Sequence, residues 1–307
     1  MGKVGRGSPA PGVSVRDQGY PVRLQDLKHP PDPVYLAGSW DHPGPYVAIV
    51  GARNATEDGI DVARGLAGSL AARGVAVVSG LARGIDAAAH EGALDSGGVS
   101  GAVLGTSLDE TYPPEHAVLQ EKVARSLGLM SEISPTSPAT RVTFATRNRL
   151  LAAIAHVVVV VQGREKSGSL ITAAEAKRLG RPVGAVPWDS RDPLGEAPHA
   201  LIRAGIAKLV CNADDVLKLL IGRSAAAPLS PTAAGPSRVA PDVCEELSPI
   251  EAALYRALRE RPLSLDHLAA AASLTASELS VALLALELNG FARRMPGGLA
   301  RRTRRAT

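Results

Sequence analysis

Between residues 46 and 222, short β-branched runs alternate with longer amphipathic segments, and that alternation predicts an α/β domain. Val47 to Val50 is the first strand. Gly59 to Arg73 follows as a helix with Ala63, Leu66, Ala67 and Leu70 on one face, and Gly74 is placed to end it. Val75 to Ser79, Gly101 to Leu104, Leu129 to Glu132, Val157 to Val161 and Pro182 to Val186 read as further strands separated by helical segments. A later pair of segments, His199 to Gly205 and Ala213 to Ile221, completes the set. These strands are apolar throughout, as parallel strands covered on both faces are. The pattern predicts a Rossmann-like, doubly wound, mostly parallel sheet over 46–222, with residues 1–45 as an N-terminal extension.

Residues 223–246 lose all periodicity, with Pro228, Pro231, Pro236 and Pro241 among Ala, Ser and Gly, and read as a linker. A second unit spans 247–303. Ser248 and Glu251 form a capping box with Pro249 at the first helical position. Ser264 starts a short helix, Leu265 to Ala271. Thr275 with Glu278 opens a third helix running to Asn289, with Leu279, Leu283 and Leu286 on one face and Gly290 closing it. Phe291 to Arg302 reads as two strands around Pro296, Gly297 and Gly298. Three helices and a hairpin predict a winged helix.

The 307 residues suffice for about two domains. Aromatic residues are only 3% of the chain, so Ala, Val, Leu and Ile must fill the cores and an aromatic beside charged groups stands out. Cys211 and Cys244 supply neither a disulfide framework nor a CxxC zinc pair and suit a reducing cytosol. The longest apolar stretch, Leu150 to Val161, is interrupted by His156 and falls short of the ~20 residues a bilayer needs. A soluble cytoplasmic protein without membrane contact is expected. The net charge of +4 is concentrated at the C-terminus, where Arg293, Arg294, Arg301, Arg302, Arg304 and Arg305 occur without an acid. A solvated charge run explains that tail more simply than a phosphate contact.

In an open parallel sheet, ligands bind at the carboxyl ends of the strands, where backbone amides and helix N-termini are exposed. After the first strand come Gly51, Ala52, Arg53 and Asn54. After the second come Gly80, Leu81, Ala82, Arg83, Gly84, Ile85 and Asp86, and after the third Gly105, Thr106 and Ser107. The Val157 to Val161 strand leads into Gln162 and Gly163, then Ser167, Gly168 and Ser169. Small residues at these positions admit a ligand close to the backbone and the arginines suit an anion, phosphate above all. Neither GxGxxG after the first strand nor GxxxxGK[ST] anywhere is present, so a dinucleotide oxidoreductase or P-loop NTPase would lack its phosphate grip.

Arg141, Arg147, Asn148 and Arg149 surround Phe144, one of only two phenylalanines. Cations interleaved with an aromatic suit single-stranded nucleic acid, whose backbone the arginines hold while the ring stacks on a base. A core role for Phe144 and a helix-start ion pair for Arg147 are the structural alternative. Asp86 and His90, four apart on one helix, lack a third metal ligand.

Five blocks, VAIVGARN (47–54), SGLARGIDAAAH (79–90), LDETYP (108–113), FATRNRLL (144–151) and SGSLITA (167–173), resemble in order the motifs of the DprA/Smf DNA-processing family. Tyr20 to Pro21 and Tyr35 to Gly38 resemble its lead-in, and the winged-helix tail also fits. The chain departs from the family in lacking room for a small N-terminal helical domain, in Trp188 where Gly is usual, and in Arg141 where Lys is frequent. The resemblance implies a non-catalytic protein that binds single-stranded DNA at the strand ends, shields it from nucleases and helps load the RecA recombinase in natural transformation. It implies phosphate contacts from Arg53 and Arg141, base stacking by Phe144, and a homodimer through the Leu201, Ile202 and Ile206 region. The expected DNA-contacting set is Gly51, Arg53, Gly80, Arg83, Gly84, Gly105, Arg141, Phe144, Arg147, Asn148, Ser167, Gly168 and Ser169. No cofactor and no metal are expected.

Two other classes compete. A lysine-decarboxylase-like phosphoribohydrolase would need a PGGxGTxxE block, whereas the only PGG, Pro296 to Gly298, lies in the expected wing without the Thr or Glu. A winged-helix regulator would need base-reading side chains on the helix Ala276 to Asn289, which offers Ser277, Glu278, Ser280, Glu287 and Asn289 and no Arg or Lys.

Overall fold

The computed structural model describes residues 12–221, 248–259, 263–288, 291–295 and 299–302. The chain divides into two compact units, one before and one after the 222–247 stretch. The expected linker, 223–246, and the turn Pro296 to Gly298 lie outside the described residues.

The first unit is built on a nine-stranded sheet. Its strands are β1 (Gly12–Val13), β2 (Val34–Ala37), β3 (Tyr46–Val50), β4 (Ala76–Ser79), β5 (Ser100–Val103), β6 (Gly128–Ser131), β7 (Val157–Val160), β8 (Val183–Ala185) and β9 (Ala207–Leu209). The spatial order is β1-β2-β6-β5-β4-β3-β7-β8-β9. Strands β3 to β9 run parallel, while β2 is antiparallel to β6 and β1 to β2. Six of the parallel strands were legible as unbroken apolar runs. The last, β9, was not, because Lys208 and Leu209 on this edge strand are exposed.

Successive strand residues pack on opposite faces, as a sheet covered on both sides requires. Val47 and Ile49 of β3 join α1 (Glu57–Ala71), α2 (Ile85–Asp95) and α7 (Ala213–Ile221) in one core. Ala48 and Val50 join α4 (Arg141–Ile154), α5 (Gly168–Arg178) and α6 (Glu196–Arg203) in another. The short helix α3 (Ala117–Arg125) covers β5 and β6 through Leu119 and Val123. Helix α1 begins at the Thr56 cap, whose hydroxyl accepts from the Gly59 amide at 3.1 Å. Its end is followed by Gly74 at φ +76, a conformation that suits glycine.

Residues 12–45 are not a separate extension. Two of their strands continue the sheet, and Tyr20, Leu24, Leu27 and Val34 are buried in the α4 and α5 core. Arg23 fastens them by donating to the Ile154 and Ala155 carbonyls at 2.9 and 2.8 Å, which caps the end of α4.

The second unit contains α8 (Pro249–Ala257), β10 (Leu263–Ser264), α9 (Leu265–Ala272), α10 (Ala276–Leu288), β11 (Ala292–Met295) and β12 (Leu299–Arg302). Its antiparallel sheet has the order β10-β12-β11, one short strand more than the expected hairpin. Both expected capping boxes are present: the Glu251 amide bonds the Ser248 hydroxyl at 3.4 Å, and the Glu278 amide bonds the Thr275 hydroxyl at 3.3 Å. Leu254, Leu258, Leu268, Leu283 and Leu286 fill its core around Phe291. Helix α10 leaves Val281 and Leu284 exposed.

Candidate nucleic-acid interface

The chain fills the sheet outward from β3 in one direction through β4, β5 and β6, then returns to β7 on the other side of β3. The loops after β3 and β7 therefore diverge, and a crevice opens between them. A cavity of about 550 Å³ occupies it, lined by the loop after β3 from Gly51 to Asn54, by Arg147, Asn148 and Leu151 of α4, and by Arg164, Lys166 and Ser167 to Ser169. A second hollow of about 180 Å³ shares Arg53, Asn54, Phe144 and Arg147 and adds Gly80, Arg83, Tyr112 and Pro113.

Phe144 lies in the first turn of α4, which starts at a Thr140 to Thr143 capping box. It is partly buried, with the Arg53 guanidinium 5.9 Å from its ring centroid and the Tyr112 ring at 5.0 Å. The core-anchor alternative therefore fails: the ring rims both hollows instead of joining a core cluster. Arg141, three residues earlier on the same helix face, is exposed and lines neither hollow. Arg53 is exposed as well, and neither residue forms an ion pair among the described residues.

Arg147 is not a free phosphate contact. It is 5% exposed, and its guanidinium donates to the Gly80 carbonyl at 2.7 Å, to the Val103 carbonyl and to Asn148 Oδ1 at 3.1 Å. Asn148 Nδ2 in turn donates to the Gly168 carbonyl at 3.2 Å. The pair thus ties together the chain after β4, the end of β5 and the start of α5, satisfying carbonyls that burial would otherwise leave unpaired. The Thr143 hydroxyl does the same for Gly105 O at 2.6 Å. Arg83 borders the smaller hollow but pairs with Glu115, and Arg149 is turned to Glu132 and the His29 carbonyl.

Most of the predicted glycines serve the protein's own packing. A Cβ on Gly51 would stand 2.6 Å from Ile85 Cγ1, one on Gly105 would stand 2.6 Å from Phe144 Cδ1, and one on Gly80 would overlap the Arg147 guanidinium. Gly84, at φ +71, sits against the Ala52 carbonyl. These positions are small because strand-end loops meet there, and Gly51 and Gly80 also line the two hollows. A Cβ on Gly168 would meet only Asn148 Nδ2, at an ordinary contact distance of 3.7 Å, so open space lies beside it. Ser167 caps α5 by accepting from the Ser169 amide at 3.1 Å, and Ser169 is buried beneath it.

Asp86 and His90 do not converge. The Asp86 carboxylate accepts from the Gly80 and Ala82 amides at 3.1 and 3.4 Å, and burial pushes its carboxyl above the ordinary value while Arg147 pulls it back. His90 Nδ1 lies 2.7 Å from the Ser100 hydroxyl, whose own proton goes to the Val77 carbonyl at 2.9 Å. Nδ1 must therefore carry the hydrogen, and Nε2 is buried with no hydrogen-bond partner among the described residues. Burial holds the imidazole neutral, with its pKa down at about 3. Among the described residues no three of His, Cys, Asp and Glu form a metal cluster, and no helix is long and apolar enough to cross a membrane.

The expected DNA-contacting set leaves out Arg164, Lys166, Asn54 and Tyr112, although Asn54 stands in a strand-end loop and Tyr112 in the LDETYP block. Only their convergence in space marks them.

A mostly parallel Rossmann-like sheet with a cationic crevice at its switch point and a separate winged helix defines the class of protein. Residues 12–221 match the family described as DNA recombination-mediator protein A, and residues 236–298 match the DprA winged helix domain. The chain belongs to the DprA/Smf family. It is 41% identical over 248 residues to the putative DNA processing protein DprA of Mycobacterium tuberculosis, covering 80% of this chain and 61% of that protein. Similarity to the Streptococcus pneumoniae DNA processing protein DprA is 38% identity over 212 residues, covering 67% of this chain and 73% of that protein. The X-ray structure of the S. pneumoniae protein superposes with a TM-score of 0.65 at 36% identity, over 69% of this chain and 74% of that one. A structure of DNA processing protein A from Helicobacter pylori, solved to describe its single-stranded DNA binding mode, gives 0.61 at 29%, over 67% and 94%. The chain thus spans about three fifths of the length of its M. tuberculosis relative.

Proposed function

We propose that this chain binds single-stranded DNA along the crevice at the ends of β3, β4, β5 and β7, protects the incoming strand and helps load RecA during natural transformation. The observation that carries the reading is Phe144, held at the crevice rim between Arg53 and Tyr112 rather than in the core. Arg53, Arg141, Arg164 and Lys166 supply phosphate contacts around it, and a ring that stacks on any base gives binding without sequence readout. No step of this reading is catalytic. The winged helix fits a regulator less well, since α10 has no Arg or Lys and exposes Val281 and Leu284.

Self-association through the Leu201, Ile202 and Ile206 region belongs to the proposal. Leu201 is buried, while Ile202 and Ile206 pack against the core with part of their surface left exposed. The exposed apolar side chains at that end of the sheet are Leu209 and Ile221, 51% and 59% exposed.

Fluorescence anisotropy with single-stranded, duplex and mononucleotide ligands at two salt concentrations tests the DNA reading. Single strands should bind most tightly, with affinity falling steeply in salt. Arg53→Ala and Arg141→Ala should each reduce the salt slope by about 0.7, one phosphate contact on a single strand. Duplex binding of equal strength would overturn it.

A further inference from the structure

Asp86 lines the larger cavity, yet a carboxylate there takes no part in holding a strand of phosphates. It stands in the first turn of α2 and is only 6% exposed. Its Oδ2 accepts from two backbone amides, Gly80 at 3.1 Å and Ala82 at 3.4 Å, which lie on either side of Leu81. Leu81 has φ +59, in the left-handed region that a leucine rarely enters, and its side chain is buried. That turn brings both amides to one oxygen.

Backbone amides gathered by a left-handed turn, at the positive end of a helix, make a concavity for an anion. A ligand's phosphate is the usual occupant of such a concavity. Here the chain fills it with its own carboxylate. The buried Arg147 adds positive charge beside it, which favours the ionised form of Asp86. The cavity above has a volume of about 550 Å³, within the range of a small-molecule site. A phosphate cannot share that floor with the carboxylate, because like charges close together in a buried site repel strongly. The α5 side of the cavity differs: Ser167 caps that helix with a neutral hydroxyl, and Arg164 and Lys166 are exposed there. Phosphates are thus turned away from the floor and toward the rim.

We infer that Asp86 is a specificity-determining residue: its carboxylate takes, from within the chain, the place that a free nucleotide's phosphate would occupy, so the crevice refuses mononucleotides. The inference rests on the single-strand reading above and adds to it the exclusion of small anions. A strand offers several phosphates to Arg53, Arg141, Arg164 and Lys166 at once, whereas a mononucleotide offers one and is denied the deepest position.

The experiment uses full-length wild type, Asp86→Ala and Asp86→Asn, with dTMP and inorganic phosphate as probes against chloride of equal ionic strength. Calorimetry should show dTMP binding to Asp86→Ala at least about tenfold tighter than to wild type, and dTMP should displace labelled oligo-dT from the variant at concentrations that leave the wild-type complex intact. Asp86→Asn loses the charge but keeps the place filled, so its gain should be smaller. Phosphate should raise the melting temperature of Asp86→Ala more than that of wild type, because it restores the missing anion. If Asp86→Ala does not fold in chloride, refolding in phosphate supports the inference and failure to refold there overturns it. A folded Asp86→Ala that takes up dTMP no better than wild type overturns it as well. A wild type that prefers duplex to oligo-dT overturns the single-strand reading, and the dTMP comparison still decides the role of Asp86.

Discussion

Arg147 and Asp86 hold the two backbone polar groups of Gly80 between them: the guanidinium donates to its carbonyl at 2.7 Å and the carboxylate accepts from its amide at 3.1 Å. Both side chains are buried, so the loop after β4 is fixed by charged groups that cannot be solvated if one is lost. Arg147→Met should therefore cost about 3 to 5 kcal/mol of stability. With Asp86→Asn added, the loss in urea denaturation should be smaller than the sum of the single losses. Strict additivity would show that the two act independently.

Gly105 sets the position of Phe144. A methyl group at residue 105 would stand 2.6 Å from Cδ1 and 3.0 Å from Cα of Phe144, so the ring and the start of α4 would both have to move. Gly105→Ala should destabilise by about 1 to 3 kcal/mol and lower single-strand affinity toward that of Phe144→Ala. Phe144→Ala itself should lose about tenfold in binding with no change of salt slope, because it removes stacking and no charge. Anisotropy paired with thermal melts separates the two effects.

His90 makes stability depend on acid. Its folded-state pKa is about 3, held down by burial, while an unfolded histidine titrates near 6.5. Between these values the unfolded state binds a proton that the folded state refuses, so stability is full above about pH 6.5 and falls as pH drops toward 3. The slope from this group is about 1.4 kcal/mol per pH unit. His90→Leu removes it, and urea midpoints between pH 4 and 7 should fall less steeply for the variant. Parallel profiles would exclude a neutral buried imidazole as the cause.

The two units have separate hydrophobic cores, and the crevice lies wholly in the first. A chain ending at residue 223 should fold, keep most of its single-strand affinity at physiological salt, and lose at low salt the long-range attraction of the C-terminal arginines. Titrating both lengths with one labelled strand in two salts checks this. Loss of binding at both salts would move the DNA site to the winged helix or the tail.

Local pattern was enough to specify the core of the sheet. Runs such as Val157 to Val160 are short, β-branched and apolar on every residue, which suits a strand buried on both faces; the caps at Ser248, Ser264 and Thr275 acted through neighbours three residues away. The five family blocks likewise placed the candidate site at the strand ends. Tertiary structure decided what no local pattern carries. Residues 12–45 join the sheet because β2 finds β6 far along the chain, a pairing set by the sheet's free edge. Arg147 reads in sequence like Arg53, yet one is buried against Gly80 and Val103 while the other faces the crevice, because α4 turns only one of its faces to solvent. Tyr112 and Phe144 are 32 residues apart and meet only where the loop after β5 passes the start of α4. Side-chain type was legible along the chain, but the choice between holding the fold and facing a ligand depends on burial and on which loops converge.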